Sequence, residues 1–415
     1  MNILLISDSY PPEIRSASHL MRELAEELLA RGHGVAVATS YPRYNLAEGL
    51  EHKAFSECSV EDGVKVIRVK TPPHHKVNFI IRGISQLIMP HLFFSRIARH
   101  IKSKVDVVIV YSPPLPLAAV GQKVKKRYGA RFILNVQDIF PQNAKDLGIL
   151  RNRAAISLFE RLERKAYAGA DVIAVHSDGN KRFLIEKKNL PPGKVSTVHN
   201  WISIEPYMNA RATGSFRKGW GVEGKFIFLF AGVVGPSQGL DMIIRAANEL
   251  REIKDICFLI VGDGTEKDRL EKLARSYSLD NVYFRPFVSK EEYPALVKES
   301  DVGLVCLSSM NRTPVVPGKI LGYMAASLPI AAFLNRESDG HELIREAGCG
   351  YSEVSEDHGK IAEVLLRMYR ERDRLKGYGE NGLSFVSAKL EKSVCIDKLE
   401  KIFHAPEGDH GQRIS

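Results

Sequence analysis

Cysteine is scarce in this 415-residue chain. The five present, Cys58, Cys257, Cys306, Cys349 and Cys395, are odd in number, far apart and include no C-x-x-C. A disulfide framework or structural zinc site is excluded on that pattern, and a reducing compartment fits it. There is no H-E-x-x-H and no Asp-x-Asp, so no metal site is expected from these signatures. Long apolar runs are missing too. The longest, Phe79–Phe94, is broken by Arg82, Gln86 and Pro90 and falls short of the roughly 18–20 residues of a spanning helix. Met1–Tyr10 lacks the basic start of a signal peptide. A cytoplasmic chain without a membrane span is expected.

One further absence is local. Lys76–Lys104 holds Lys76, Arg82, Arg96, Arg99, Lys102 and Lys104 but neither Asp nor Glu. It also carries Phe79, Ile80, Ile81, Leu87, Ile88, Leu92, Phe93 and Phe94. Such a segment suits an amphipathic helix lying on an anionic bilayer, or a core-facing helix with a solvated basic face. Lys123, Lys125, Lys126 and Arg127 add a second basic cluster. Aromatic interleaving and nucleic-acid-binding motifs are absent, so no nucleic-acid partner is expected.

What is present is a soluble, globular composition, with 44% hydrophobic and 26% charged residues. The length suggests about two domains. The net charge of +10 divides unevenly, +12 over residues 1–200 and −2 over the remainder. The chain opens on a buried-strand pattern, Asn2–Ser7, followed by a loop, a helix over His19–Ala30 and a strand over Val35–Thr39. Strands are expected next at Val64–Val69, Val107–Tyr111, Phe132–Val136, Val172–Val175 and Val195–Val198. Glycines crowd the stretch Ile204–Lys225, and the pattern then restarts with Phe226–Ala231, Cys257–Val261, Val282–Arg285, Val302–Cys306 and Pro329–Phe333. The fold class is α/β: two Rossmann-like, doubly wound domains in tandem, facing a central cleft. The expected spans are 1–205 and 206–382, with a disordered tail at 406–415.

Four stretches carry candidate chemistry. Gly232, Gly235, Gln238 and Gly239 lie in a glycine-rich turn between strand and helix, where backbone can approach a phosphate; a tight turn without a ligand is the alternative. The same stretch matches G-x-S-x-G around Ser237, but four residues separate it from the strand, which argues against a nucleophile elbow. Gly219–Lys225 resembles a Walker A loop but ends in Phe226 and precedes its strand. In Pro314–Ala332, Lys319 at a helix start can neutralise a pyrophosphate or simply be solvated. After the strand at Phe132–Val136, Asp138 can bind a sugar hydroxyl, act as a base or cap a turn; His176 and Asn200 occupy similar strand ends.

Together, ILLISDSYPPE, ARGHGVAVATSYP, NVQDIFPQNAKDLGIL, VHNWI, FAGVVGPSQGLD, VGDGTE and PGKILGYMAASLPI resemble the GT-B glycosyltransferases of family 4. More narrowly, they resemble the L-fucosamine-transferase-like enzymes of O-antigen and capsule biosynthesis. The resemblance implies a retaining, metal-independent hexosyl transfer from a nucleotide-sugar, usually UDP-linked, to a lipid-linked or saccharide acceptor at the inner membrane face, with no cofactor. It implies donor contacts from Gly232, Gly235, Gln238, Gly239, Gly262, Arg285, Phe287, Val288, Gly318, Lys319, Ile320 and Leu321. Acceptor contacts would come from Glu13, Arg15, Asp138, His176 and Asn200, with Asp138 and Lys319 in the catalytic roles. A final helix, Leu383–Phe403, would return to the first domain. Many family members carry two glutamates where this chain has Pro314 and Gly322. That departure leaves a weakened or non-catalytic homologue as one alternative and a sugar-nucleotide 2-epimerase as another.

Overall fold

The computed structural model describes residues 1–43, 46, 50, 53–74, 77 and 79–404. Lys76 and the stretch 406–415 lie outside the described residues. The chain divides into two compact units, Met1–His199 with Ile396–Ser415, and Asn200–Cys395. The division therefore falls a few residues before the boundary expected at 205.

The first unit is built on the strands β1 (Asn2–Ile6), β2 (Gly34–Ser40), β3 (Cys58–Glu61), β4 (Val64–Val69), β5 (Val107–Ser112), β6 (Arg131–Val136), β7 (Val172–Val175) and β8 (Val195–Thr197). Their order in the sheet is β3-β4-β2-β1-β5-β6-β7-β8. All neighbours are parallel except β3 and β4, which pair antiparallel. The main helices are α1 (Ser16–Ala30), α2 (Phe79–His100), α3 (Ala118–Tyr128), α4 (Arg153–Gly169) and α5 (Asp178–Lys188). The inner strands are apolar on both faces because helices cover both sides of a parallel sheet; all six residues of β5 are buried. The edge strand β3 escaped the sequence reading because its pattern is short and polar. Its signal was the Asp62-Gly63 pair, both with positive φ, which turns the chain tightly into β4.

The second unit has β9 (Phe226–Ala231), β10 (Ile256–Val261), β11 (Val282–Arg285), β12 (Val302–Cys306), β13 (Ile330–Leu334) and β14 (Gly350–Val354). The order is β11-β10-β9-β12-β13-β14, all parallel. In both sheets the chain reverses its winding beside the first strand, between β1 and β5 and between β9 and β12. Ligands of such sheets bind outside the C-terminal ends of the strands at that point. The helices of this unit that matter below are α6 (Glu205–Asn209), α7 (Asp241–Glu249), α8 (Lys319–Ala325) and α9 (Leu375–Lys389). The final helix expected over Leu383–Phe403 is instead two, α9 and α10 (Lys392–His404). The break follows from Glu391, whose carboxylate accepts the Ser393 N–H at 2.7 Å and starts a new helix.

Candidate functional site

In the second unit, β9 and β12 pair only at Val302–Phe228 and Gly303–Leu229. Beyond that point the Tyr323 hydroxyl takes over the ladder. It donates to the Leu229 carbonyl at 3.2 Å and accepts the Ala231 N–H at 3.3 Å. Tyr323 is fully buried, so this contact fixes α8 against the end of β9. The first residue of α8, Lys319, is thereby brought over the turn that leaves β9. A Cβ on Gly232 would lie 2.7 Å from Lys319 Cε and 2.9 Å from Nζ, the movable end of that side chain. What favours glycine there is the φ of +143°.

Lys319 is half-buried, with Nζ 4.7 Å from the centre of the Phe230 ring. Desolvation lowers its pKa from the usual 10.5 to about 8. Cys306, beside it, stays a thiol because burial raises its pKa to about 12. The ammonium is thus a cation with little compensating charge, aimed at a glycine turn.

That turn holds Gly235 and passes through a 3-10 turn at Pro236–Gln238 before Gly239 and α7. Ser237 hands its carbonyl to the Ser308 N–H at 2.8 Å, and its hydroxyl accepts from Gln238 Nε2. Gly262 is buried under this turn, since a Cβ there would meet the Gly232 carbonyl at 1.9 Å. It joins two loops and offers no open surface. Gly318 is exposed at the start of α8, whereas the Ile320 and Leu321 side chains are in the core. Those two residues can reach a ligand only through their backbone. Arg285 donates to the carbonyls of Phe284 and Trp220 at 3.0 and 2.9 Å, which ties down the guanidinium. Phe287 is 59% exposed at the same edge, as is Val233 at 65%; Val288 is half-buried.

Gly322 is explained by its neighbours. A Cβ there would lie 3.1 Å from the Tyr207 hydroxyl oxygen and 3.5 Å from that of Tyr293. The two rings pack edge to face, centres 6.4 Å apart. A side chain at this position would press on the Tyr207 hydroxyl and touch that of Tyr293.

In the first unit, the expected acceptor residues separate into two groups. Glu13 is buried and fully engaged, accepting from Ser9 Oγ at 3.0 Å and from the Arg43 N–H at 3.1 Å. It fastens the loop after β1. Arg15 pairs with buried Asp8 at 3.3 Å. His176 is buried, with Nε2 donating to the Gln137 carbonyl at 3.0 Å. Asn200 is the first residue of the second unit. Asp138 remains exposed beyond β6, yet the surrounding protein desolvates its carboxyl and raises its pKa. Tyr111, at the end of β5, was not anticipated from the sequence. Burial raises its pKa first, and the charges of Asp138 and Asp8 add to that. The three therefore form one electrostatic group at the winding reversal of this sheet. Among the described residues, no group of three or more His, Cys, Asp or Glu is placed to hold a metal ion.

Two outcomes follow. A nucleoside diphosphate held by the Lys319 ammonium should bind progressively more weakly as pH rises above about 8, because the folded pKa is depressed. Lys319→Met should bind weakly and show no such break; calorimetric titrations across pH 7–10 check both. Gly322→Ala sets a helix-propensity gain of about 1 kcal/mol against contact with the Tyr207 hydroxyl, so adding Tyr207→Phe should raise the stability of Gly322→Ala more than that of the wild type in denaturant unfolding.

Residues 17–201 match the family model described as glycosyl transferase 4-like domain, and residues 214–385 match glycosyl transferases group 1. The chain is 28% identical over 336 residues to a putative colanic acid biosynthesis glycosyl transferase, WcaI, of Escherichia coli, covering 78% of this chain and 81% of that protein. Among solved structures it is similar to a sucrose-phosphate synthase of Thermosynechococcus elongatus, with TM-score 0.74 at 16% identity, covering 97% of this chain and 98% of that one. It is also similar to HepE of Anabaena in complex with UDP, with TM-score 0.72 at 14% identity, covering 97% and 99%. Two α/β units, one sheet parallel but for its β3 edge and the other parallel throughout, and two family matches that together span most of the chain place this protein among the GT-B glycosyltransferases.

Proposed function

We propose that this glycosyltransferase moves a sugar, with retention of anomeric configuration, from a UDP-linked donor to a lipid-linked saccharide in surface polysaccharide assembly. The observation that carries the reading is the approach of Lys319 to Gly232 at the winding reversal of the second sheet. A leaving diphosphate needs its growing charge met, and a partly desolvated ammonium beside a close-approach turn meets it strongly. Gly235, Gln238 and Gly239 continue that turn under the diphosphate, and Gly318 opens the start of α8 beside it. Exposed Phe287 and Val233 offer apolar surface to the base. In the first unit, Asp138 receives the acceptor hydroxyl, with Arg15 nearby in the same loop cluster as Asp8.

WcaI is named for colanic acid biosynthesis and HepE was solved with UDP; both support the choice of reaction and donor. No metal or cofactor is assigned a role, since Lys319 supplies the positive charge at the diphosphate. The setting proposed is the inner face of the cell membrane, reached through the segment Lys76–Lys104. No helix among the described residues is long and apolar enough to cross a membrane.

A nucleotide panel read by thermal unfolding tests the donor. At a hundredfold excess over Kd, UDP should add about 2.7 kcal/mol of stability, a shift of several degrees, and GDP or CDP clearly less. An NMR time course then separates the reactions. Transfer consumes UDP-sugar only with an acceptor and yields an axial or equatorial linkage matching the donor. Conversion of the sugar-nucleotide without acceptor would replace this reading by epimerisation. No shift with any nucleotide would refute it.

A further inference from the structure

Lys319 starts a helix that has no side chain to cap it, since the residue before α8 is Gly318. Tyr323 anchors the helix about one turn further on. The approach to Lys319 is held from elsewhere, by the turn 335–340 that follows β13. Asn335 in that turn is fully buried. Its Nδ2 donates to the Thr313 carbonyl and to Glu337 Oε2, both at 3.2 Å. Both partners can only accept, which fixes the orientation of the amide. Ser338 is buried too, and its hydroxyl donates to the Val315 carbonyl. Glu337 reaches across the same gap to Arg312 at 3.5 Å. One turn therefore grips two carbonyls of the segment 312–318, and only three residues separate Val315 from Lys319.

The turn is itself braced. The Asn335 carbonyl accepts the Ser338 N–H at 3.0 Å and the His341 Nε2–H at 3.3 Å. Burial lowers the His341 pKa below the usual 6.5, so this ring is neutral wherever Lys319 titrates. The turn also packs directly on α8. A Cβ on Gly340 would lie 2.6 Å from Leu334 Cδ1 and 3.3 Å from Cδ1 of Ile320, the second residue of that helix. At its other end the segment is tied to the glycine turn, where the Ser308 N–H meets the Ser237 carbonyl at 2.8 Å. A buried amide contributes little net stability, because its desolvation offsets most of its hydrogen bonding. What such a group fixes is the position of its partners.

We propose that Asn335 and Ser338 are positioning residues for sugar transfer: by clasping Thr313 and Val315 they hold the Lys319 ammonium over the Gly232 turn, partly stripped of water. Neither side chain touches the ammonium; both act through the backbone that leads to it. The inference rests on the reading of Lys319 as the counter-charge of a leaving diphosphate. The placement of Lys319 can nevertheless be measured with no nucleotide present.

NMR titration of the full chain after reductive methylation of its lysines with labelled formaldehyde reads that placement, the Lys319 signal being the one missing from Lys319→Met. In the wild type it should titrate at about 8, with the neighbouring Cys306 thiol silent until about 12. Ser338→Ala and Asn335→Ala should each move the midpoint up toward 10.5 as water reaches the ammonium. Ser338→Thr keeps the hydroxyl and should stay near the wild type. Calorimetric titration with UDP at pH 7 reads the consequence. Affinity should fall about tenfold in either alanine variant, with no further fall when either is added to Lys319→Met. Thermal unfolding without ligand checks that Asn335→Ala folds; Ser338→Ala removes a single hydroxyl and carries the test by itself. An unmoved Lys319 midpoint in Ser338→Ala would overturn the proposal. So would a loss of UDP affinity as large on the Lys319→Met background as on the wild type. A midpoint that moves as expected, in a protein that does not bind UDP, would instead overturn the functional reading and leave the hold on Lys319 standing.

Discussion

The Tyr323 hydroxyl between β9 and β12 is the contact on which the candidate site of the second unit depends. Parallel strands flanking a winding reversal diverge, and divergence leaves backbone groups without ladder partners. Here one phenol satisfies both, taking the Ala231 N–H and giving to the Leu229 carbonyl. The same side chain belongs to α8, so repairing the sheet also sets the position of the helix. Lys319 then arrives over Gly232 because it starts that helix, and Gly322 meets Tyr207 because it shares the turn with Tyr323. A seven-residue helix has little stability of its own; packing holds it, and packing thereby places the charge.

The electrostatics of the two units are opposite in kind. In the second, a cation is partly stripped of water and stays poised near pH 8. In the first, acids gather: Asp8 is buried beside Arg15, Asp138 is exposed but raised by desolvation, and Tyr111 feels both. The proposed anionic donor suits the cation of the second unit, and the proposed acceptor hydroxyl suits the acids of the first. The overall charge of +10 is spread over the surface; Lys126 and Arg127 of α3 and Arg161, Arg164 and Lys165 of α4 are among its exposed cations.

The sequence made the architecture readable because buried parallel strands are written as unbroken apolar runs, such as FIFLFA and ICFLIV. The edge strands β3 and β14 were hidden for the converse reason: CSVE and GYSEV are half-exposed and mixed. At the site, Gly232 and Lys319 were legible from a glycine turn and a lysine at a helix start. The roles of Glu13, Arg285 and Gly262 were not, because each is decided by a partner distant in sequence: Arg43, Trp220 and Gly232. Tyr207 and Tyr293 could not be tied to Gly322 without coordinates. The partner of Arg96 and Arg99 could not be read from the segment Lys76–Lys104, since Glu57 lies outside it.

The most direct test is a crystal structure of the protein with UDP. The account predicts the diphosphate over the Gly232–Gly239 turn, with a phosphate oxygen at about 3 Å from Lys319 Nζ and the base toward Phe287. UDP bound elsewhere, or held there with Lys319 turned away from its phosphates, would contradict it.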